Sequence, residues 1–283
     1  MNLLTPFQLL PEGIVVACLA GGLCGTVGVF VVTRGMSYIG HGLSHAVFGW
    51  AVISVVAGIN IYLGSAIGAL LSSLLIGAIA RRRVIGADAS IGVVTTAVFA
   101  IGVAIASRSG AVRGDLEAAL FGNILGVGWA DAAIVSAVAA LVGVMMFAWY
   151  RPLLFSSFDP EVANISGVSV AFADNVLSIM LAGTVVAGMT VLGATLMPAA
   201  LVIPPVVARL LTERFGAMLG LSGLLGSLAG LVGVYLSFYL DVSSGAAVVF
   251  VNTAAFALAY LMSFKTRQGS GRKPLMPPPT GRR

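Results

Sequence analysis

The chain has 283 residues, of which 59% are hydrophobic and only 9% charged, with a mean hydropathy of +1.07 and a formal net charge of +5. A soluble domain of this length carries about 25% charged residues to cover its surface. The composition therefore excludes a water-soluble enzyme and demands an all-α protein embedded in a membrane throughout, with no nucleic-acid partner expected.

Nine apolar segments follow along the chain, at about 13–33, 36–57, 62–80, 88–107, 130–150, 171–190, 191–208, 216–239 and 244–264. Most are close to the ~20 residues that cross about 30 Å of hydrocarbon as a helix. They predict a bundle of about nine transmembrane helices, within a range of eight to ten. The 36 glycines suit close helix packing. Small-xxx-small pairs stand at Gly21 and Gly25, Gly64 and Gly68, and Gly226 and Gly230. The stretch from Val170 to Val207 lacks a basic residue and is too long for one span. It reads as two helices joined near Gly188–Gly193, the second interrupted by Pro198, Pro204 and Pro205. Such prolines free backbone carbonyls, which are tolerated in a membrane only where protein or a polar pathway satisfies them. Pro204 and Pro205 are thus either gate candidates or a simple kink.

Three pieces do not span. Residues 108–128, with Asp115 and Glu117 ahead of Phe121-Gly122-Asn123, predict an external loop with a short or re-entrant helix. Residues 155–168 predict a cytoplasmic loop. The chain divides into a membrane domain over 1–264 and a basic, Pro/Gly-rich tail over 265–283. That tail is expected to be disordered and either touches anionic lipid or serves as a topology signal. No secretory signal peptide is evident ahead of the first apolar block.

Lys and Arg gather in cytoplasmic loops. Setting Arg81-Arg82-Arg83 inside places thirteen of the 15 basic residues on that side and leaves only Arg108 and Arg113 outside. The amino terminus is then expected outside a bacterial inner membrane and the carboxyl terminus in the cytoplasm.

The chain has two histidines, His41 and His45. Their i, i+4 spacing puts both on one helix face. Ionisable groups inside a membrane are costly and usually face a pathway or a bundle interior, and imidazole ligates zinc, copper, iron and nickel. Two donors leave a site incomplete, whereas a symmetric dimer would assemble four. The plain alternative is a pair hydrogen-bonded within its helix. Cys18 and Cys24 lie about 240° apart around a helix and read as inert buried thiols. In Phe158-Asp159-Pro160-Glu161-Val162, Asp159 is a good N-cap, Pro160 suits the first helical position and Glu161 favours the helix dipole. This predicts a short cytoplasmic helix, either an ordinary interfacial one or a lever that docks on a soluble partner.

The run Met36-Ser37-Tyr38-Ile39-Gly40-His41-Gly42-Leu43-Ser44-His45-Ala46 resembles the Gly-Asp-x-Leu-Ser-His-Ala signature of the ABC-3 family of zinc and manganese importer permeases. Further segments agree in order: Ile91-Gly92-Val93-Val94 with Phe99 to Val103, Asp115-Leu116 with Leu120 to Gly126, Asp159 to Ala163 with Gly167-Val168, and Leu201 to Pro205 with Ala208 to Thr212. The resemblance covers roughly 12–264. It implies a type II ABC importer-like fold, working as a homodimer with a cytoplasmic ATPase dimer and an extracellular metal-binding protein. His45 matches the family's metal-handling histidine, with Ser44 beside it as a further pathway candidate. His41 stands where the family usually has aspartate. That exchange of oxygen for nitrogen moves preference from manganese towards zinc and makes affinity more sensitive to protonation. Phe158 to Val162 would couple to the ATPase. No Walker motif occurs, so nucleotide belongs to a partner, and no cofactor is expected beyond the transported Zn²⁺ or Mn²⁺.

Two other classes compete. Gly220-Leu221-Ser222-Gly223 matches the motif around a rhomboid protease nucleophile, yet no histidine follows it to act as base. An ATP-independent metal transporter would need intramembrane carboxylates, whereas Asp88, Asp131, Asp174 and the others lie at predicted span ends or in loops.

Overall fold

The computed structural model describes residues 11–81, 86–109 and 120–269. Among these there is no strand. The helices are α1 (Pro11–Thr33), α2 (Ser37–Val56), α3 (Ile61–Arg81), α4 (Ala87–Ser109), a 3₁₀ turn at Ile124–Gly126, α5 (Trp129–Ala148), α6 (Tyr150–Phe158), α7 (Pro160–Ile165), α8 (Val170–Leu192), α9 (Met197–Leu211), α10 (Phe215–Leu240) and α11 (Ser244–Gly269). Eight of them are long and apolar enough to cross a membrane.

The ninth expected span is α9, whose 15 residues give only about 22 Å of helix. It follows α8 after a turn at Gly193–Leu196, slightly later than the sequence suggested. Gly193 has a φ of 71°, a left-handed conformation natural to glycine, and ends α8 there. Both Pro204 and Pro205 sit inside α9, which runs through them without the expected interruption. Two further boundaries differ. Residues 150–158, taken partly as span and partly as loop, form the separate helix α6, and α11 continues to Gly269, past the expected tail boundary. Arg82, Arg83, Asp115, Glu117 and residues 270–283 lie outside the described residues.

Helices α1 and α8 are the most enclosed spans, while α3, α4, α5 and α11 turn most of their length outward. α1 is apolar on every side, as suits a helix surrounded by others. Small residues decide who its neighbours are. A Cβ added at Gly21 would collide with the Gly226 carbonyl of α10, one at Gly25 with the Ser222 carbonyl, and one at Gly230 with the Ala17 carbonyl. Ser222 Oγ donates to the Gly25 carbonyl at 2.7 Å and Ser227 Oγ to the Cys18 carbonyl at 2.9 Å. The α1–α10 seam is thus a backbone-to-backbone contact with hydroxyl ties. Gly64 and Gly68 seat α3 against Ser54 and Trp50 of α2, and Trp50 Nε1 donates to Ser72 Oγ at 3.1 Å.

The segment after residue 119 packs against the turn between α8 and α9. The Thr195 backbone N–H and hydroxyl both donate to the Leu120 carbonyl, at 3.2 and 2.6 Å, and Asn123 N–H donates to the Thr190 carbonyl at 3.1 Å. Gly122, at φ 79°, passes so close to the Val191 carbonyl that no side chain fits. Nearby, Tyr62 OH donates to Asp131 Oδ1 at 2.6 Å while Asp131 Oδ2 accepts from Gly128 N–H at 2.9 Å. Asp131 is therefore consumed by capping α5.

Candidate metal pathway and coupling segment

α2 carries both histidines, one and two turns from its start. Gly42 and Gly49 on α2 and Gly102 on α4 let the two helices approach until added side chains would not fit. That approach seats Phe99 of α4 against His45, with ring centroids 5.0 Å apart. His41 is exposed and lies beside Tyr38, while His45 is half-buried. The two imidazoles meet edge to face at 86°, and their Nε2 atoms are 3.2 Å apart. One tautomer of that pair is a hydrogen bond. A tetrahedral zinc with bonds of ~2.0–2.1 Å sets neighbouring ligand atoms roughly 3.3 Å apart, so the same separation is also the bite of a metal. His45 Nδ1 is buried without a hydrogen-bond partner among the described residues. A ligating histidine normally donates from its second nitrogen to an acceptor, and none is in place here.

The two imidazoles have no third ligand beside them among the described residues, where no group of three or more potential ligands occurs. Ser44 is buried and its hydroxyl donates to the His41 carbonyl at 2.8 Å, so it braces the histidine turn from behind. Pro204 and Pro205 are also buried. Pro205 cannot donate to the Leu201 carbonyl four residues back; that carbonyl lies against Gly28 of α1, where a side chain would collide with it.

The short helix expected after Phe158 forms as its residues dictate. Asp159 Oδ1 accepts from the Glu161 and Val162 backbone N–H groups, both at 3.0 Å, and Pro160 opens α7. Phe158, Val162 and Ile165 are 64%, 49% and 87% exposed, an apolar row on a segment flanked by polar residues. The Phe158 ring also packs edge-on against Phe215 at the start of α10, and Phe215 against Phe30 of α1.

Residues 6–263 match the ABC 3 transport family. The chain belongs to that family. It is a permease subunit of a metal ABC importer, a transport protein and not itself an enzyme. It is 34% identical over 95% of its length, and 94% of the other's, to the manganese transport system membrane protein MntC of Halalkalibacterium halodurans. Identity is 32% to the manganese import system permease protein ScaB of Streptococcus parasanguinis, over 94% of each chain. Its fold matches a chain in the structure of PsaBC from Streptococcus pneumoniae in complex with Fab, with a TM-score of 0.85 and 29% identity over 93% of this chain and 95% of that one.

For this permease the protease reading falls. Ser222 is fully buried and its hydroxyl is spent on Gly25 of α1, so the Gly-x-Ser-Gly match is a packing motif. Sequence reasoning missed a different cluster. Arg34, the residue after the end of α1, donates to Ser157 Oγ at 3.0 Å, to Ser156 Oγ at 2.7 Å and to the Asp174 carboxylate of α8. In the sequence Arg34 is one of the thirteen basic residues set inside, and Asp174 is a carboxylate at a span end. Over a hundred residues separate the arginine from each partner, so no local pattern joins them.

Proposed function

We propose that the permease moves a divalent transition metal along a path lined by His41 and His45, with zinc preferred over manganese. The observation that carries this reading is the 3.2 Å separation of the two Nε2 atoms on an accessible face of α2. Two copies related by a two-fold axis would supply four nitrogens, the number a tetrahedral ion takes. Imidazole pairs favour zinc, whereas manganese prefers oxygen donors. Manganese is the second reading, because MntC and ScaB are named as manganese transport proteins. A separate cytoplasmic ATPase dimer would drive the cycle through Phe158, Asp159, Pro160, Glu161 and Val162, and an extracellular metal-binding protein would deliver the ion. The exposed apolar row Phe158, Val162 and Ile165 supports the first partner.

The decisive measurement is ATP-dependent uptake of Zn²⁺, Mn²⁺ and Fe²⁺ into proteoliposomes holding the permease and its ATPase. Zinc uptake above manganese is expected; uptake of manganese alone would reverse the order, and uptake without ATP would remove the ATPase from the scheme.

On this reading the amino terminus lies outside and the carboxyl terminus in the cytoplasm, as the distribution of basic residues favours. In a background without Cys18 and Cys24, Ile59→Cys between α2 and α3 should react with an impermeant thiol reagent on intact cells. Ser166→Cys, after α7, should react only once the membrane is opened. The reverse pattern inverts the topology.

A further inference from the structure

Arg34 sits at a junction of three elements. α1 ends in a paired-bond turn in which Met36 N–H donates to the Val31 carbonyl at 3.0 Å and Gly35 N–H to the Val32 carbonyl at 3.2 Å. Gly35, at φ 68°, takes the left-handed position such a turn requires. α2 starts two residues later, so Arg34 stands seven residues ahead of His41 on a short, internally bonded connection. Its side chain is only 8% exposed. The guanidinium reaches the end of α6 and the first turns of α8.

The acceptors are aimed at it. Ser156 and Ser157 both spend their hydroxyl hydrogens on one carbonyl, that of Leu153, at 3.2 and 2.6 Å. Their lone pairs are then left for Arg34. A guanidinium holds several donors in a fixed plane and so dictates the relative position of its acceptors more strictly than a lysine would. A cavity of about 290 Å³ borders Arg34, Asp174, Asn175 and Ser178. The guanidinium is therefore held on that side by its hydrogen bonds, with no tight packing to replace them. Ser157 is two residues from Asp159, the cap of α7.

We propose that Arg34 is a positioning residue that carries movement of the α6–α7 segment into the histidine helix α2 and into α8. Shifting the α6 end draws on Ser156 and Ser157, these draw on the guanidinium, and the turn at Gly35 passes the displacement to the base of α2. Asp174 ties α8 to the same point. This rests on reading α6–α7 as the ATPase-facing element, and the test separates the two ideas.

Complexes of the full permease with its ATPase are reconstituted, and metal transported per ATP hydrolysed is measured together with the amount of ATPase retained. Arg34→Lys keeps the charge and loses the fork. The pair Ser156→Ala, Ser157→Ala keeps Arg34 and removes two acceptors. Both should retain ATPase and hydrolyse ATP, yet lower the ratio roughly tenfold, about what one charge-assisted hydrogen bond is worth, and lose stimulation of hydrolysis by metal. A purely structural role would lower yield and thermal midpoint with the ratio unchanged. An unchanged ratio in both variants overturns the Arg34 link, whatever the docking result. Phe158→Ala, Val162→Ala serves as the contrast and should lose the ATPase itself. If that variant keeps its ATPase while the Arg34 variants lose the ratio, the docking assignment fails and the Arg34 link stands.

Discussion

His45→Ala is expected to cut metal uptake per folded molecule by at least roughly 100-fold, since even outer-shell changes cost metal sites about 10–100-fold. The imidazole it removes is one half of the only close nitrogen pair that α2 presents, and Phe99 fixes its ring from α4. Yield should be little affected, because His45 is half-buried and its Nδ1 ties it to nothing. His41→Asp tests the chemistry from the other side. A carboxylate at that position restores the pair the family resemblance leads one to expect, and the Zn²⁺ to Mn²⁺ uptake ratio should fall, because oxygen suits manganese better than nitrogen does. The double variant His41→Ala, His45→Ala is the strictest form. Uptake near normal after correction for folded protein would falsify the pathway assignment while leaving family membership intact.

The second large effect concerns folding. Gly226→Val, and likewise Gly21→Val, should abolish recovery of folded permease or lower its thermal midpoint in detergent sharply. Overpacking a core costs about 1–3 kcal/mol where side chains can yield. Here the obstacle is a carbonyl of the facing helix, which cannot rotate aside, so α1 and α10 must separate and lose the Ser222 and Ser227 hydroxyl ties with them. Gly220→Ala on the same α10 is the control, since nothing stands within 4 Å of its added carbon. Alanine is the better helix former by about 1 kcal/mol, so that variant should be neutral or slightly more stable. Equal midpoints for Gly226→Val and the wild type would show that the seam is not close-packed.

The histidine pair is visible in the linear chain, because a helix puts residues i and i+4 on one face whatever surrounds it. The cap at Asp159 was equally visible, for an N-cap is satisfied by backbone groups two and three residues on. The glycine pairs announced close packing without saying against what: Gly21 meets Gly226, but Gly64 and Gly68 meet Ser54 and Trp50. The boundary between α8 and α9 was blurred because hydropathy runs unbroken across it. What ends α8 is the backbone at Gly193, held by contacts with Leu120 and Gly122 from a distant segment. Ser222 showed the opposite error, a local motif that suggested chemistry until its hydroxyl was found on a carbonyl 197 residues away.

By itself the sequence determined that this is a membrane-spanning helical bundle, where its spans lie to within a few residues, and that two imidazoles share one face of α2. Those properties follow from hydrocarbon thickness, helical pitch and local hydrogen bonding, which act over twenty residues or fewer. Only the tertiary structure decided that Pro204 and Pro205 continue a helix, that Ser222 is a packing group, and that Arg34 gathers Ser156, Ser157 and Asp174 from α6 and α8. Each depends on which helices are neighbours. In this chain that choice is made by backbones meeting at glycines and by hydroxyls finding carbonyls across the bundle, pairings that no local periodicity records.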